Sequence, residues 1–173
     1  MAATKCTEFI IVNRRTGKAL QAAGIENGCA VTQAEIDRSE PQIWQSSTVK
    51  GGVKLINKAS SKALDVMMSG TDSGTWAQIW EDVGSESQIW KTAGRTYKTL
   101  THISSGKVLD IADMSEEDGA NAQLWESIGG DNQQWKLCPL QEQKAASTVK
   151  KTTVKKSAPR KRTAKSAKLK IEN

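Results

Sequence analysis

The sequence predicts an all-β fold made of three copies of one four-stranded unit, and three observations carry that expectation. Gln-x-Trp occurs as Gln42-Ile43-Trp44, Gln88-Ile89-Trp90 and Gln133-Gln134-Trp135, with the tryptophans 46 and 45 residues apart. A fixed period of that length marks one folding unit made three times. Ahead of each triplet, short apolar runs alternate around turns rich in Asn, Ser and Gly, which is the pattern of β-hairpins. No stretch carries a convincing helical period.

The elements follow in order. In the first repeat, Phe9-Ile10-Ile11-Val12 and Lys18-Ala19-Leu20-Gln21-Ala22 flank the turn Asn13-Arg14-Arg15-Thr16-Gly17. The second gives Val53-Lys54-Leu55-Ile56, a turn from Asn57 to Ser61, then Lys62-Ala63-Leu64-Asp65-Val66. The third gives Tyr97-Lys98-Thr99-Leu100-Thr101, a turn from His102 to Gly106, then Lys107-Val108-Leu109-Asp110-Ile111. Gln78-Ile79-Trp80 and Gln123-Leu124-Trp125 form a third strand, ten residues before the tryptophan that opens the fourth. The repeats thus cover about 5–46, 47–92 and 93–138. A propeller needs about four to eight blades to close. Twelve short strands in three units fit a closed barrel with a hairpin cap.

Charge divides the chain into a head and a tail. Residues 1–140 hold 14 Lys/Arg and 17 Asp/Glu, while residues 141–173 hold 11 and 2, so the formal net charge of +6 originates in the tail. The head is long enough for one core. The tail has no aromatic residue and few large apolar ones, so burial there cannot offset ordering entropy; it is expected to be disordered. No segment approaches the roughly 18–20 apolar residues of a membrane span, and the first residues lack a signal-peptide apolar stretch.

Residue by residue, the chain resembles the ricin-type (ricin B-like) β-trefoil lectins, which also occur as carbohydrate-binding modules attached to glycosidases. The Gln-x-Trp triplets, the Lys-x-Leu-Asp-Val/Ile segments and Gly-Ala-Asn-Ala-Gln-Leu-Trp at 119–125 carry the likeness over residues 5–140. The resemblance implies a β-trefoil head over residues 1–140 and a non-enzymatic lectin function. In secreted members of the family a cysteine commonly precedes the Leu-Asp segment; here those positions hold Ala19, Ala63 and Val108. Cys6, Cys29 and Cys138 sit at no zinc-like spacing. The expected location is therefore cytoplasmic or reached by non-classical export, with a nucleus possible in a eukaryote. Pairing of Cys6 with Cys138, which flank the barrel, stays open. No metal or cofactor is expected.

The resemblance also implies five binding positions per repeat. The third repeat has all of them: Asp110, Gln123, Trp125, Asn132 and Gln133. The second has Asp65, Gln78, Trp80, Ser87 and Gln88, with Ser in place of Asn. The interval from Asp to Gln is 13 in both. The first offers Gln21, Thr32, Ala34, Pro41 and Gln42, with neither carboxylate nor ring, and is expected to be structural.

These residue types suit a sugar. A carboxylate only accepts hydrogen bonds and can take two neighbouring hydroxyls, while an amide offers donor and acceptor together. An indole covers the C–H face of a pyranose. An axial hydroxyl leaves one such face clear, in keeping with the family's frequent preference for galactose or N-acetylgalactosamine. Alternation places Gln123 with Trp125, and Gln78 with Trp80, on one strand face.

Plainer readings accompany these. Trp44, Trp90 and Trp135 read as core anchors, because the degenerate first repeat keeps its copy. Asp65 and Asp110 could serve turn amides instead. Trp76, matched by Ala30 and Asn121, is either packing or an extra contact beside the second site. The single histidine, His102, stands at the turn position of Asn13 and Asn57 and is expected to be structural. No paired carboxylates, nucleophile motif, phosphate loop or metal cluster argues for an enzyme.

The tail supports a competing function. Thr148-Val149-Lys150-Lys151 recurs as Thr153-Val154-Lys155-Lys156, followed by Arg160, Lys161 and Arg162. Such a run can neutralise the phosphates of nucleic acid, or another polyanion, without sequence preference. An anionic membrane surface is another possible partner, and the plain reading is a solubilising tail. The alternative function is thus a polyanion-associated protein whose head serves only as structure or as a protein-docking unit.

Overall fold

The computed structural model describes residues 7–140. The expected disorder of residues 141–173 and the basic positions Lys150, Lys151, Lys155, Lys156, Arg160, Lys161 and Arg162 lie outside the described residues, as does Cys6. Cys29 and Cys138 are half-buried free thiols.

Among the described residues twelve strands form, four per repeat. The first repeat holds β1 (Glu8–Asn13), β2 (Ala19–Ala22), β3 (Val31–Ala34) and β4 (Ile43–Val49). The second holds β5 (Gly52–Asn57), β6 (Ala63–Val66), β7 (Ala77–Trp80) and β8 (Trp90–Ala93). The third holds β9 (Thr99–His102), β10 (Val108–Ile111), β11 (Ala122–Trp125) and β12 (Trp135–Pro139).

The first and last strands of each repeat make the barrel. Antiparallel pairs run β1–β4, β4–β5, β5–β8, β8–β9 and β12–β1. A bridge between Lys98 and Trp135 closes the circle. The inner strands make three hairpins, β2–β3, β6–β7 and β10–β11, which cap one end.

Three glycines join the hairpins in a ring. Gly28 donates its N–H to the Ile79 carbonyl at 2.9 Å, Gly74 to Leu124 at 2.8 Å, and Gly119 to Gln33 at 2.8 Å. Their φ values of +86°, +88° and +85° fall in the left-handed region that other residues disfavour. Every repeat therefore holds the next. The fold is a β-trefoil.

The three Gln-x-Trp tryptophans fill the core. Trp44, Trp90 and Trp135 are fully buried. Each indole N–H donates to a carbonyl of its own repeat, Leu20, Leu64 or Leu109, at 3.0, 3.1 and 3.0 Å. A buried indole without such a partner would carry a desolvation cost, so the bond fixes the ring's direction as well as its depth.

Asn13, Asn57 and His102 end β1, β5 and β9 and are buried. Asn13 donates to the Asn132 carbonyl at 3.0 Å, and Asn57 to the Pro41 carbonyl at 2.8 Å. His102 faces the corresponding Ser87 carbonyl. Its Nδ1 pairs with Ser105 Oγ at 2.9 Å, while its Nε2 lacks a well-aligned partner. The imidazole also packs on Trp90, with ring centroids 5.3 Å apart. Burial holds its pKa below the ordinary 6.5, opposed by the nearby Asp65 charge and the Ser87 carbonyl.

Five single-turn 3-10 segments were not foreseen: Glu40–Gln42, Met67–Ser69, Glu86–Gln88, Ala112–Met114 and Asp131–Gln133. One turn of three residues is too short to leave a period in the sequence. Each lies beside a candidate site or its first-repeat counterpart.

Candidate functional site

The hairpin register explains the shared interval of 13 residues. Asp110 on β10 pairs directly with Gln123 on β11, and Asp65 on β6 with Gln78 on β7. In a strand the side chains alternate between faces. Leu124 and Ile79 accordingly enter the core, while Trp125 and Trp80 reach the surface with 40% and 38% of their area exposed.

In the third repeat these residues line a groove of about 300 Å³. Asp110 forms its floor and is almost fully buried. Asn132 and Gln133 donate to its Oδ2 at 2.8 and 3.0 Å, and Gln123 donates to Oδ1 at 3.2 Å. Desolvation raises the Asp110 pKa above the ordinary 3.8, against the three amides and with some help from the Asp113 charge. Three donors fix the carboxylate while using most of its roughly four acceptor positions. What remains is available to the groove, which Gln123 and Asn132 also line.

The second-repeat groove holds about 270 Å³ and includes Asp65, Gln78, Trp80 and Ser87. Its carboxylate is held differently. Gln88 donates to Asp65 Oδ2 at 3.0 Å, and the Val66 N–H donates to Oδ1 at 2.6 Å. Ser87 bonds to Ser85 Oγ at 2.9 Å rather than to the carboxylate.

Gln88 and Gln133, expected among the binding residues, stand behind their grooves and hold the carboxylates from within. Both are buried, with 0% and 1% exposed. Besides the carboxylate, Gln133 Nε2 donates to the Glu126 carbonyl at 2.8 Å, and its Oε1 accepts from the Ile128 N–H at 2.9 Å. Gln88 makes the same pair with Glu81 and Val83 at 2.7 and 3.2 Å. One amide thereby sets the floor and the far wall together. Gln42 keeps the loop contacts, to Glu35 and to the N–H groups of Asp37 and Arg38, in a repeat without a carboxylate. The loop contact is common to all three repeats.

Sequence reasoning missed the remaining walls. Asp113, Met114 and Ile128 line the third-repeat groove, and Met68, Ser69 and Val83 the second. Val83 and Ile128 are matched positions, each 63% exposed. The turn after the Asp strand is left-handed at two successive non-glycine residues: Met68 and Ser69 at φ 51° and 52°, Asp113 and Met114 at 56° and 50°. Each such residue carries strain of order 1–3 kcal/mol. Gly24 and Ile25, at the matching first-repeat positions, show no such turn. The repeat without the carboxylate is also without this left-handed turn.

Trp76, expected as packing or as an extra contact beside the second site, neighbours a different groove. It lies beside the third-repeat site, because its backbone bridges Gln123, just as Ala30 bridges Gln78 beside the second.

A three-fold barrel whose outer grooves join a buried carboxylate to an exposed indole defines a carbohydrate-binding β-trefoil. The model of the ricin-type β-trefoil lectin domain matches residues 7–135, and the chain belongs to that family. Among solved structures it is similar to the designed three-fold symmetric protein ThreeFoil, at 34% identity and TM-score 0.75, over 77% of this chain and 99% of that one. It is similar at 31% identity and TM-score 0.76 to the exo-β-1,3-galactanase 1,3Gal43A of Clostridium thermocellum, over 81% of this chain but 31% of the galactanase. The C-half of the earthworm R-type lectin, in complex with GalNAc, shares the fold at 22% identity and TM-score 0.63, over 78% of this chain and 99% of that one. No curated protein matches the chain.

Proposed function

We propose that the head is a non-enzymatic lectin for galactose- or N-acetylgalactosamine-type glycans, bound in the grooves of repeats two and three. The carrying observation is that carboxylate, exposed indole and left-handed turn occur together in those two repeats and are absent together from the first. A fold that closes without these features has no structural need of them. Asp110 and Asp65 accept from neighbouring sugar hydroxyls, and Trp125 and Trp80 cover the C–H face of the ring. The matching GalNAc complex of the earthworm lectin and the galactanase relationship favour this sugar class. Asp65 and Asp110 line separate grooves, so they do not form the acid–base pair of a glycosidase.

The tail is proposed to bind polyanions through Lys150, Lys151, Lys155, Lys156, Arg160, Lys161 and Arg162, on the strength of the charge segregation. Glycan-array and calorimetric binding of the tail-less head test the lectin reading. The expected result is binding of galactose-terminated glycans that disappears in the Asp110→Ala/Asp65→Ala double variant. Undiminished affinity in that variant would sink the assignment.

A further inference from the structure

We infer that the third-repeat groove continues into a second sugar subsite walled by Trp76, so that this site reads at least a disaccharide. The inference rests on the lectin reading of Asp110 and extends it. Next to the Asp110 groove lies a second cavity of about 330 Å³ that includes Trp76, Asp113, Ser115, Gly119, Asn121 and Gln123. The two cavities share Asp113 and Gln123 and so lie side by side on the surface.

The new cavity repeats the chemistry of the first. Trp76 is 46% exposed, more than Trp125 or Trp80, so packing does not account for it. It presents an indole next to polar groups able to meet ring hydroxyls: the Asn121 amide, the Ser115 hydroxyl and the Asp113 carboxylate. An apolar plate beside convergent donors and acceptors suits a pyranose and suits little else of that size. Gly119 adds no side chain to the cavity, and a Cβ built there would meet nothing within 4 Å.

Internal symmetry removes the structural explanation. The three backbone bridges Ala30–Gln78, Trp76–Gln123 and Thr32–Asn121 link successive hairpins of the cap. The positions matched to Trp76 are Ala30 and Asn121, so the cap forms without a large residue there. Because each hairpin borders the next repeat, the second repeat's tryptophan serves the third repeat's site. The second-repeat groove has only Ala30 beside it. The extension therefore belongs to one site of the two, and that site is the one with the complete set of amides around its carboxylate.

The test uses the full chain carrying Asp65→Ala, which leaves the third-repeat groove as the one under study. Calorimetry compares methyl β-galactoside with lactose and with β-1,3- and β-1,6-linked galactobiose. At least one disaccharide should bind on the order of tenfold more tightly than the monosaccharide, the scale of one stacking contact. Trp76→Ala should erase that gain and leave methyl β-galactoside affinity unchanged, which also shows that the fold is intact. Trp76→Phe should retain most of the gain. A disaccharide preference that survives Trp76→Ala overturns the inference, as does a chain that binds every disaccharide no better than the monosaccharide. Monosaccharide binding that vanishes with Asp110→Ala upholds the lectin reading in either event. Absence of all saccharide binding by the parent chain overturns both.

Discussion

The side-chain amide of Asn132 donates to Asp110 Oδ2 at 2.8 Å. Ser87, at the same place in the second repeat, is too short to make that bond and pairs with Ser85 at 2.9 Å. The third-repeat site is therefore the better organised of the two. Asp110→Ala should lower galactoside affinity there by about 1.5–3 kcal/mol, the worth of hydrogen bonds to a charged group. Asp65→Ala should cost less in calorimetric titration, and Ser87→Asn should strengthen the second site. An unchanged second site in Ser87→Asn would separate the affinity difference from this hydrogen bond.

Acid should silence the third site early. The folded-state pKa of Asp110 is raised above 3.8 by desolvation. As pH falls through that raised value the carboxylate gains a proton and loses acceptor capacity. Sugar binding is thus expected to fall with a midpoint above 3.8, followed by titration across pH 3 to 7. The linked stability effect has the opposite sign. A raised carboxylate pKa contributes stability below the unfolded value of 3.8, and that contribution is lost as pH rises through the folded value.

The two classes of tryptophan should separate cleanly. Trp135→Ala removes a fully buried ring and its bond to Leu109, and should cost about 3–5 kcal/mol in chemical denaturation. Trp125→Ala removes a ring that is 40% exposed and should disturb stability much less, while abolishing most binding at its groove. Comparable losses of stability in both variants would contradict the division.

That division was legible before any coordinates, because the first repeat keeps Trp44 and replaces the other ring with Ala34. Internal repetition is a comparison built into one sequence. It located the strands and the common Asp–Gln interval that the hairpin pairing explains. Repetition is silent about direction. Gln88 and Gln133 recur with their tryptophans, yet recurrence does not say whether an amide faces solvent or the floor of a site. Trp76 could be read only against its own repeat, whereas bridging between hairpins hands it to the next one. The strained turns at Met68–Ser69 and Asp113–Met114 were invisible because neither pair contains the glycine that usually announces a positive φ.

His102 should make the fold mildly sensitive to acid. Its folded-state pKa lies below 6.5, so its contribution is complete above pH 6.5 and is lost as pH falls through the folded value, where the unfolded chain binds the proton more readily. His102→Asn installs the residue found at Asn13 and Asn57. It is expected to flatten the drop in melting temperature between pH 7.5 and about 5, the interval around an ordinary imidazole. An identical drop in both proteins would show that other groups cause it.

Polyanion and sugar binding should come apart with salt. Affinity for duplex DNA or heparin should fall steeply as salt rises, because released counterions scale with neutralised charges. Galactoside affinity should change little, since its contacts are short-range. Deletion of residues 141–173 should remove the first activity and preserve the second. A tail-less head that still retains DNA would place that activity on the barrel.

Strand β12 lies against β1 along five consecutive residue pairs, from Phe9–Pro139 to Asn13–Trp135. At the end of that seam Asn13 takes hold of the Asn132 carbonyl at 3.0 Å, and the Arg14 amide takes that of Gln134 at 2.8 Å. The segment that carries Asn132 into the groove around Asp110 is thus held from behind by the start of the chain's first hairpin turn. A polypeptide cut short ahead of β12 holds every residue of both grooves, Asn132 included, but not the strand that lies against β1 behind the third. On the proposed lectin reading, the groove around Asp110 is backed by a seam that forms only when the barrel has closed.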